Sequence, residues 1–303
     1  MKIFSGTSNK PLAEEIAQAL GTTLSPIEIF IFPDGEKRVQ IQEAVVDEDC
    51  VVVQTTATPV DENYMELFFI SDGLKRSGAK SITVVAPYFG YQRQDHIFRS
   101  GESVSLDVVI KALEGTGATK VIAVDLHSVK IPELFSIAVA HLSALSLFAK
   151  KIRSLGEGIL VSPDMGGIRR INQMSTLLDG MPWIATVKDR DLDTGEIVIN
   201  KIEGDEQSIK RTAFLVDDMI SSGKTIVESA KLLQEKYDVE DIYVFATHAV
   251  FSSEAPSLLQ KSGVQKVFVT DSVFVPEEKR FEKLEILSIA DMVAKELQRG
   301  LYL

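Results

Sequence analysis

The chain has 303 residues, enough for two domains of ordinary size, and its 45% hydrophobic and 25% charged residues are typical of a globular protein. The net charge of −12 argues against general nucleic-acid binding, because neutralising phosphates requires a basic surface. No stretch approaches the roughly 18 consecutive apolar residues that span a membrane, so the sequence predicts no membrane partner.

The N-terminal segment Met1–Gly6 does not continue into the apolar run of a signal peptide. The single cysteine, Cys50, cannot form an internal disulfide, and no cysteine pair is present for a structural zinc site. A reducing cytoplasm is therefore the expected location.

The first distinctive turn is Phe32-Pro33-Asp34-Gly35-Glu36. In isolation Phe32 would be assigned to the core. Because Pro-Asp-Gly favours a turn, we expect Phe32 at the surface, where its ring is suited to stacking on a base.

Two β-branched runs in the first half are each followed by a polar loop. Ser81–Ala86 leads into Pro87-Tyr88-Phe89-Gly90-Tyr91-Gln92-Arg93-Gln94-Asp95, and Val121–Val124 leads into Asp125-Leu126-His127. Arginine is suited to bidentate phosphate contact, although a solvated surface loop is the alternative for Arg93, Gln94 and Asp95. A histidine such as His127, taken alone, is more often a capping or core residue than a metal ligand.

In the second half, the run Ile159–Val161 leads into Ser162-Pro163-Asp164-Met165-Gly166-Gly167. Asp164, in a strand-end turn flanked by Pro and Gly, is chemically suited to a metal or to ribose hydroxyls. The segment Val187–Glu196 carries Lys188 and Arg190 among acidic residues. A charged, exposed turn is the alternative for that segment.

The sharpest signal is Phe214-Leu215-Val216-Asp217-Asp218-Met219-Ile220-Ser221-Ser222-Gly223-Lys224-Thr225. An apolar strand leads into two carboxylates, then into hydroxyl residues and glycine, then into a helix. The turn Ser221–Thr225 can direct N–H groups and hydroxyls at a phosphate, while Asp217 and Asp218 can accept from sugar hydroxyls. A Walker A loop is excluded because its leading glycine falls at Asp218. An ordinary helix cap is the alternative.

The apolar runs are continuous rather than alternating, as in strands buried on both faces of a parallel sheet. Thr225–Lys236 has the apolar spacing of a helix, so the alternation predicts an α/β fold. A faint repeat relates Ala118–His127 to Val239–His248, and each segment is expected to end in a histidine just past a strand. Either two domains of similar fold or chance would explain this repeat. We place the boundary between residues 1–145 and 146–303.

Together these segments resemble ribose-phosphate pyrophosphokinase (phosphoribosyl diphosphate synthetase) over nearly the whole chain and in the same order. The resemblance implies two similar phosphoribosyltransferase-like domains, each a largely parallel sheet flanked by helices, with the last helix packing on the N-terminal domain. It implies transfer of the β,γ-diphosphate of Mg-ATP to the 1-hydroxyl of ribose 5-phosphate, with AMP as the second product.

The resemblance also assigns roles. Lys188 and Arg190 become the catalytic cations, and His127 and Asp164 become Mg²⁺ contacts. The remaining residues divide between the substrates: Phe32, Asp34, Gly35, Glu36, Arg93, Gln94 and Asp95 for ATP; Asp164, Asp217, Asp218, Ser221, Ser222, Gly223, Lys224 and Thr225 for ribose 5-phosphate. In the family the Phe32-type loop reaches a neighbouring subunit, which implies a homodimer or a multiple of it.

Two alternatives remain open at this point. A phosphoribosyltransferase would share the loop Asp217–Thr225 but would have no use for Phe32–Glu36. A non-catalytic regulatory homologue would be favoured by loss of Lys188, Arg190, His127 or Asp164, and all four are present.

The chain departs from the family pattern at several positions. Lys224 stands where glycine is usual, and we expect right-handed backbone there. The family's phosphate and ADP regulatory site uses a serine and an arginine that are absent from Glu43–Asp49, and Glu102 follows Gly101 where many members have arginine. These differences predict activity without phosphate activation. The acidic flank of Lys188 and Arg190 also differs from the family's basic continuation, which predicts weaker substrate binding or slower loop closure.

Overall fold

The computed structural model describes residues 1–190 and 197–299, and for residues 188–190 and 197–200 it describes the backbone alone. The chain forms two compact units. The first contains Met1–Leu142, Ser272–Phe274 and the segment from Ser288 onward, and the second contains Ser143–Asp271 and Val275–Leu287. Among the described helices, none has both the length and the apolar composition needed to cross a membrane.

The elements up to residue 142 are β1 (Lys2–Ser5), α1 (Lys10–Ala19), β2 (Ile27–Ile31), β3 (Lys37–Ile41), β4 (Asp49–Val53), α2 (Val60–Arg76), β5 (Ser81–Val85), α3 (Ser105–Gly115), β6 (Lys120–Val124), a 3₁₀ turn (Ile131–Leu134) and β7 (Ala138–Leu142). They are followed by α4 (Leu145–Leu155), β8 (Ile159–Ser162), a 3₁₀ turn (Met165–Gly167), α5 (Ile168–Leu177), β9 (Trp183–Arg190), β10 (Ile197–Gly204), a 3₁₀ turn (Glu206–Ser208), β11 (Thr212–Ile220), α6 (Lys224–Tyr237), β12 (Asp241–Ala249), α7 (Ala255–Lys261), β13 (Lys266–Thr270), a 3₁₀ turn (Glu277–Lys279), β14 (Leu284–Leu287) and α8 (Ala290–Arg299).

The sheet of the first unit is parallel throughout, in the order β1-β4-β5-β6-β7. Its central strands are runs of Val, Ile and Ala with almost no exposed surface, because helices cover both faces. The hairpin β2–β3 forms a separate antiparallel pair.

The sheet of the second unit has the order β10-β9-β8-β11-β12-β13-β14. Among the described strand pairs of this sheet, only β9 and β10 are antiparallel, and the other pairs are parallel. The core packs strand residues such as Leu215 and Val244 against Ile226 and Leu233 of α6.

The predicted α/β architecture with largely parallel sheets is confirmed. The runs Ser81–Ala86, Val121–Val124, Ile159–Val161 and Phe214–Val216 are all strands, and the helix expected at Thr225–Lys236 is α6. The expectation that His248 lies just past a strand is wrong. His248 pairs with Met219 and Thr270 inside β12 and is fully buried, because the neighbouring strands continue alongside it.

Candidate functional site

In the first unit, the loop after β5 is fixed against the end of β4 and against α2. The Gly90 N–H donates to Oγ1 of Thr56 (2.7 Å), and the Tyr64 hydroxyl donates to the Gly90 carbonyl (2.8 Å). A Cβ atom at Gly90 would lie 2.6 Å from the Thr56 carbonyl oxygen, so only glycine permits this approach. These contacts therefore fix the position of the loop at the carboxyl end of the strands.

Gln92 joins this loop to the one that follows β6. Its side chain is buried, and its Oε1 accepts from the His127 N–H (2.9 Å). The adjoining Leu126 N–H donates to Nε2 of His141 (2.9 Å). The structure thus brings His127 next to the segment that carries Arg93, although no sequence argument had given Gln92 a role.

The residues predicted to contact the nucleotide are presented outward on that loop. Arg93 and Gln94 are exposed, and Asp95 is half-buried, with its Oδ1 2.6 Å from Nδ1 of His96. His127 is also exposed. An exposed guanidinium at the carboxyl end of a parallel strand is well placed for an anionic ligand.

Phe32–Glu36 closes the β2–β3 hairpin. The Phe32 N–H donates to the Glu36 carbonyl (2.8 Å), and the Gly35 N–H donates back to the Phe32 carbonyl (2.9 Å). Oδ1 of Asp34 accepts from the Glu36 N–H (3.1 Å). Phe32 is 38% exposed, so the expected surface position is confirmed, and its ring packs edge-on against Phe30 at 5.0 Å.

A cavity of about 430 Å³ lies between this loop and α2. It is lined by Gly35, Glu36, Lys37, Asp61, Glu62, Met65 and Phe69. Three carboxylates and one ammonium disfavour a phosphate in this cavity, whereas the two apolar side chains suit a flat, uncharged group.

In the second unit, Asp164 begins the 3₁₀ turn that follows β8. Its Oδ1 accepts from the Gly167 N–H (3.2 Å), and its carbonyl accepts from the Ser162 hydroxyl (2.7 Å). A Cβ atom at Gly167 would come within 2.3 Å of Oγ of Ser162, so the turn needs glycine there. These contacts fix the Asp164 carboxylate at the carboxyl end of its strand.

Arg170 is the residue that the sequence reasoning missed. One of its guanidinium nitrogens, Nη1, lies 2.9 Å from Oδ1 of Asp217, and Nη2 lies 3.4 Å from Oδ1 of Asp218. The signal was available: Arg169 and Arg170 come just after Ile168, which follows the Ser162–Gly167 loop, and two adjacent carboxylates need a nearby cation.

Asp217 and Asp218 lie inside β11 rather than beyond its end, because β12 pairs with β11 as far as Ile220. The Asp218 N–H donates to Oδ1 of Asp217 (2.8 Å). Burial raises the pKa of Asp217 well above its usual range, the Asp218 and Asp164 carboxylates add to the rise, and Arg170 opposes it.

The turn after β11 leads directly into α6. Gly223 caps the helix in left-handed backbone (φ 75°), and Lys224 is the first helical residue. The prediction of right-handed backbone at Lys224 is therefore confirmed. The Lys224 N–H donates to Oγ of Ser222 (3.4 Å), and the next N–H groups of α6 have no partner within the helix.

Lys188 and Arg190 fall in the last residues of β9, opposite Ile199 and Ile197 of β10. Their side chains lie outside the described part of the chain, as do residues 191–196. Their predicted catalytic role stays a prediction.

The described residues contain no group of three or more His, Cys, Asp or Glu side chains arranged to hold a metal ion. His127 belongs to the first unit and Asp164 to the second. Mg²⁺ keeps several waters and is commonly held by one or two carboxylates together with substrate phosphates. Asp164 provides one carboxylate of the kind that Mg²⁺ uses.

Two family models match the chain. Residues 1–117 match the N-terminal domain of ribose phosphate pyrophosphokinase, and residues 200–302 match the phosphoribosyl synthetase-associated domain.

Curated proteins match over almost the full length. The ribose-phosphate pyrophosphokinase of Fusobacterium nucleatum is 37% identical over 305 residues, covering 99% of this chain and 94% of that protein. The protein of the same name from Synechococcus elongatus is 39% identical over 302 residues, covering 99% and 90%. Among solved structures, phosphoribosylpyrophosphate synthetase from Mycobacterium smegmatis matches with a TM-score of 0.92 at 32% identity, covering 99% of this chain and 98% of that one.

Proposed function

This chain belongs to the ribose-phosphate pyrophosphokinase family, and we propose that its two groups of loops divide the substrates, with the first unit's loops holding ATP and the second unit's loops holding ribose 5-phosphate. The chain is a ribose-phosphate diphosphokinase, which transfers the β,γ-diphosphate of ATP to the 1-hydroxyl of ribose 5-phosphate and releases AMP. The observation that carries this activity is the full-length similarity to enzymes of that name.

The turn Ser221–Thr225 is suited to the 5-phosphate. The N-terminus of α6 provides N–H groups and the positive end of the helix dipole, and the serine and threonine hydroxyls add donors. Asp217 and Asp218 accept from the ring hydroxyls, while Arg170 keeps the two adjacent carboxylates from repelling each other.

The loops of the first unit are suited to the nucleotide. Phe32 is exposed and stacks on the adenine, with Asp34, Gly35 and Glu36 shaping the loop around it. Arg93 contacts the phosphates, and Gln94 and Asp95 complete that loop.

Lys188 and Arg190 stabilise charge on the β-phosphate as it is transferred. The 1-hydroxyl oxygen bonds to the β-phosphorus, the bond from that phosphorus to the α-phosphate oxygen breaks, and the hydroxyl proton is released. Such transfers depend on alignment and on neutralising charge, and they need no protein nucleophile. We assign His127 and Asp164 as residues that would contact Mg²⁺, and a bound Mg²⁺ would supply neutralisation of the phosphate charge.

We further propose a cytoplasmic homo-oligomer. Cys50 has no second cysteine with which to form an internal disulfide, which suits a reducing compartment. The oligomer rests on the resemblance alone.

The test is an assay of AMP formation from Mg-ATP with and without ribose 5-phosphate, with phosphorus NMR to identify phosphoribosyl diphosphate. We expect AMP only when the sugar phosphate is present. Formation of no AMP would indicate a non-catalytic homologue, and use of phosphoribosyl diphosphate with a base would indicate a phosphoribosyltransferase.

A further inference from the structure

A fully buried carboxylate lies beneath the hairpin that carries Phe32. Glu66, on α2, accepts from the Thr7 N–H (2.6 Å) and the Thr7 hydroxyl (2.8 Å). It also accepts from Nε2 of Gln54 (3.0 Å) and from Nζ of Lys37 (2.9 Å). The Lys37 side chain is only 13% exposed. Both carboxylate oxygens are thus hydrogen-bonded, and the charge is balanced by one ammonium.

Such a pair is not needed for stability alone. Removing two charges from water is expensive, and apolar side chains of similar volume often stabilise a fold as well or better. A buried pair with several hydrogen bonds does fix the position of its partners, since each bond requires a set distance and direction. A Cβ atom at Gly6 would come within 2.2 Å of Oε1 of Gln54 and 3.0 Å of Oε1 of Glu66, so both side chains pack closely against the Gly6 backbone.

The hairpin needs such an anchor at its loop end. The strands β2 and β3 pair with each other and with no other strand in the described part of the chain. Apolar packing against the core comes from Ile27, Ile29, Val39 and Ile41. At the loop end, Phe30 and Ile31 are 42% and 58% exposed, so apolar packing there is weak.

Lys37 is placed to supply that anchor. It directly follows Glu36, the last residue of the loop, and pairs with Ile31 across the hairpin. Its ammonium reaches down to Glu66, and the Glu66 network continues to the ends of β1 and β4 through Thr7 and Gln54.

We propose that Lys37 and Glu66 are positioning residues that fix the loop Phe32–Glu36 in the orientation needed to bind ATP. The proposal rests on the assignment of this loop to ATP. Glu66 is fully buried and the Lys37 ammonium is paired with it, so both residues act through the hairpin.

The test compares Lys37→Met, which keeps the length of the side chain, and Glu66→Gln, which keeps its shape, with Arg38→Met. Arg38 lies next to Lys37 on the same hairpin, and its pair with Glu28 (3.3 Å) is exposed at 53% and 41%. We expect Lys37→Met and Glu66→Gln to raise KM for ATP by about tenfold or more, because a small misplacement of a binding loop has a large effect. KM for ribose 5-phosphate and kcat should change by less than about twofold, and Arg38→Met should leave all three values within that range.

If a single variant does not fold, the double variant Lys37→Met with Glu66→Gln removes both charges together and leaves no uncompensated ion. The proposal is overturned if folded variants keep the wild-type KM for ATP, or if kcat and both KM values change in parallel with the melting temperature. Phe32→Ala tests the assignment of the loop to ATP separately from the positioning role of Lys37 and Glu66. An unchanged KM for ATP in that variant removes the loop from the nucleotide site, whereas a raised value beside an unaffected Lys37→Met rejects the positioning pair alone.

Discussion

Arg170 lies against two carboxylates that are adjacent in the chain, so one positive charge faces two negative charges. The net charge of these three groups is negative when both carboxyl groups are ionised. Burial raises the pKa of Asp217 well above its usual range. In the folded protein Asp217 therefore holds its proton to a higher pH than in the unfolded chain. For the proposed role of accepting from ring hydroxyls, the ionised carboxylate is the stronger acceptor.

For Asp217→Asn we predict weaker ribose 5-phosphate binding and unchanged ATP binding. Loss of an ionic acceptor costs roughly 1.5–3 kcal/mol. The amide oxygen can still accept from Arg170 and from the Asp218 N–H, so the fold should persist. Calorimetric titration with each ligand measures the effect. A fall in ATP affinity with retained sugar-phosphate affinity would reverse the assignment of this loop.

The same titrations at several pH values test the sign of the pKa shift. The ionised form of Asp217 is the stronger acceptor, and burial disfavours it in the free protein. Affinity of the wild type for ribose 5-phosphate should therefore rise with pH and level off above the raised pKa, and Asp217→Asn should lose this rise. An affinity that falls with pH in the same range would show that the protonated form binds.

For Lys188→Ala we predict a loss of turnover by orders of magnitude with little change in folding or ATP affinity. A cation that meets the phosphate mainly in the transition state contributes to rate rather than to ground-state binding. Lys210→Ala, which removes an exposed pair with Glu157 (2.9 Å), is the control. Wild-type turnover in Lys188→Ala would remove this residue from the catalytic set.

At the scale of elements, the turn between β11 and α6 depends on one backbone conformation. Gly223 has φ 75°, and an added Cβ would meet Leu259 at an ordinary 3.4 Å. Substitution there is therefore unfavourable because of the backbone angle and not because of crowding. Gly21, which follows α1 with φ 69° and has open space around its Cβ position, provides a comparison of similar φ.

We predict that Gly223→Ala and Gly21→Ala each lower the free energy of unfolding by about 1–2 kcal/mol, the cost of left-handed backbone. Only Gly223→Ala should also weaken ribose 5-phosphate binding, because it alone shifts the turn at the N-terminus of α6. Chemical denaturation and calorimetry measure the two effects. Equal ligand affinities in the two variants would argue against a phosphate at this turn.

Sequence reasoning found the elements whose local pattern is strong. The continuous apolar runs predicted β5, β6, β8 and β11, and the cost of left-handed backbone for lysine predicted the right-handed backbone of Lys224 at the start of α6. It failed where tertiary contacts decide. The burial of His248 inside β12 depends on the neighbouring strands, and the pairing of Arg170 with Asp217 joins residues 47 apart.

At the scale of the whole molecule, the net charge of −12 makes any second anion site depend on local cations. Near the start of β4 the chain presents Glu43, Asp47, Glu48 and Asp49. Their described partners lie within the protein: Lys2 pairs with Glu43, the N-terminal ammonium lies 3.4 Å from Glu48, and the Ser81 hydroxyl donates to Asp49 (2.5 Å). An anion in this region would be repelled, and burial would increase the repulsion.

The loop that contains Glu102 also disfavours a bound phosphate. The Glu102 carboxylate accepts from the N–H groups of Phe98 (3.0 Å) and Arg99 (2.9 Å). Adjacent backbone N–H groups are the donors that a bound phosphate would use, and here a side chain of the same charge already occupies them. The Glu102 carboxylate thus takes the position that a bound phosphate would need in this loop.

We therefore predict activity that does not require free phosphate, and inhibition by ADP that is purely competitive with ATP. The rate should stay flat as phosphate is varied at constant ionic strength and free Mg²⁺. Glu102→Gln replaces the carboxylate by a neutral amide without adding a cation. If the acidic segment Glu43–Asp49 is sufficient to exclude phosphate, the activity of this variant should also be insensitive to phosphate. A several-fold activation of the wild type, with ADP inhibition that excess ATP does not relieve, would show that other residues form a regulatory anion site.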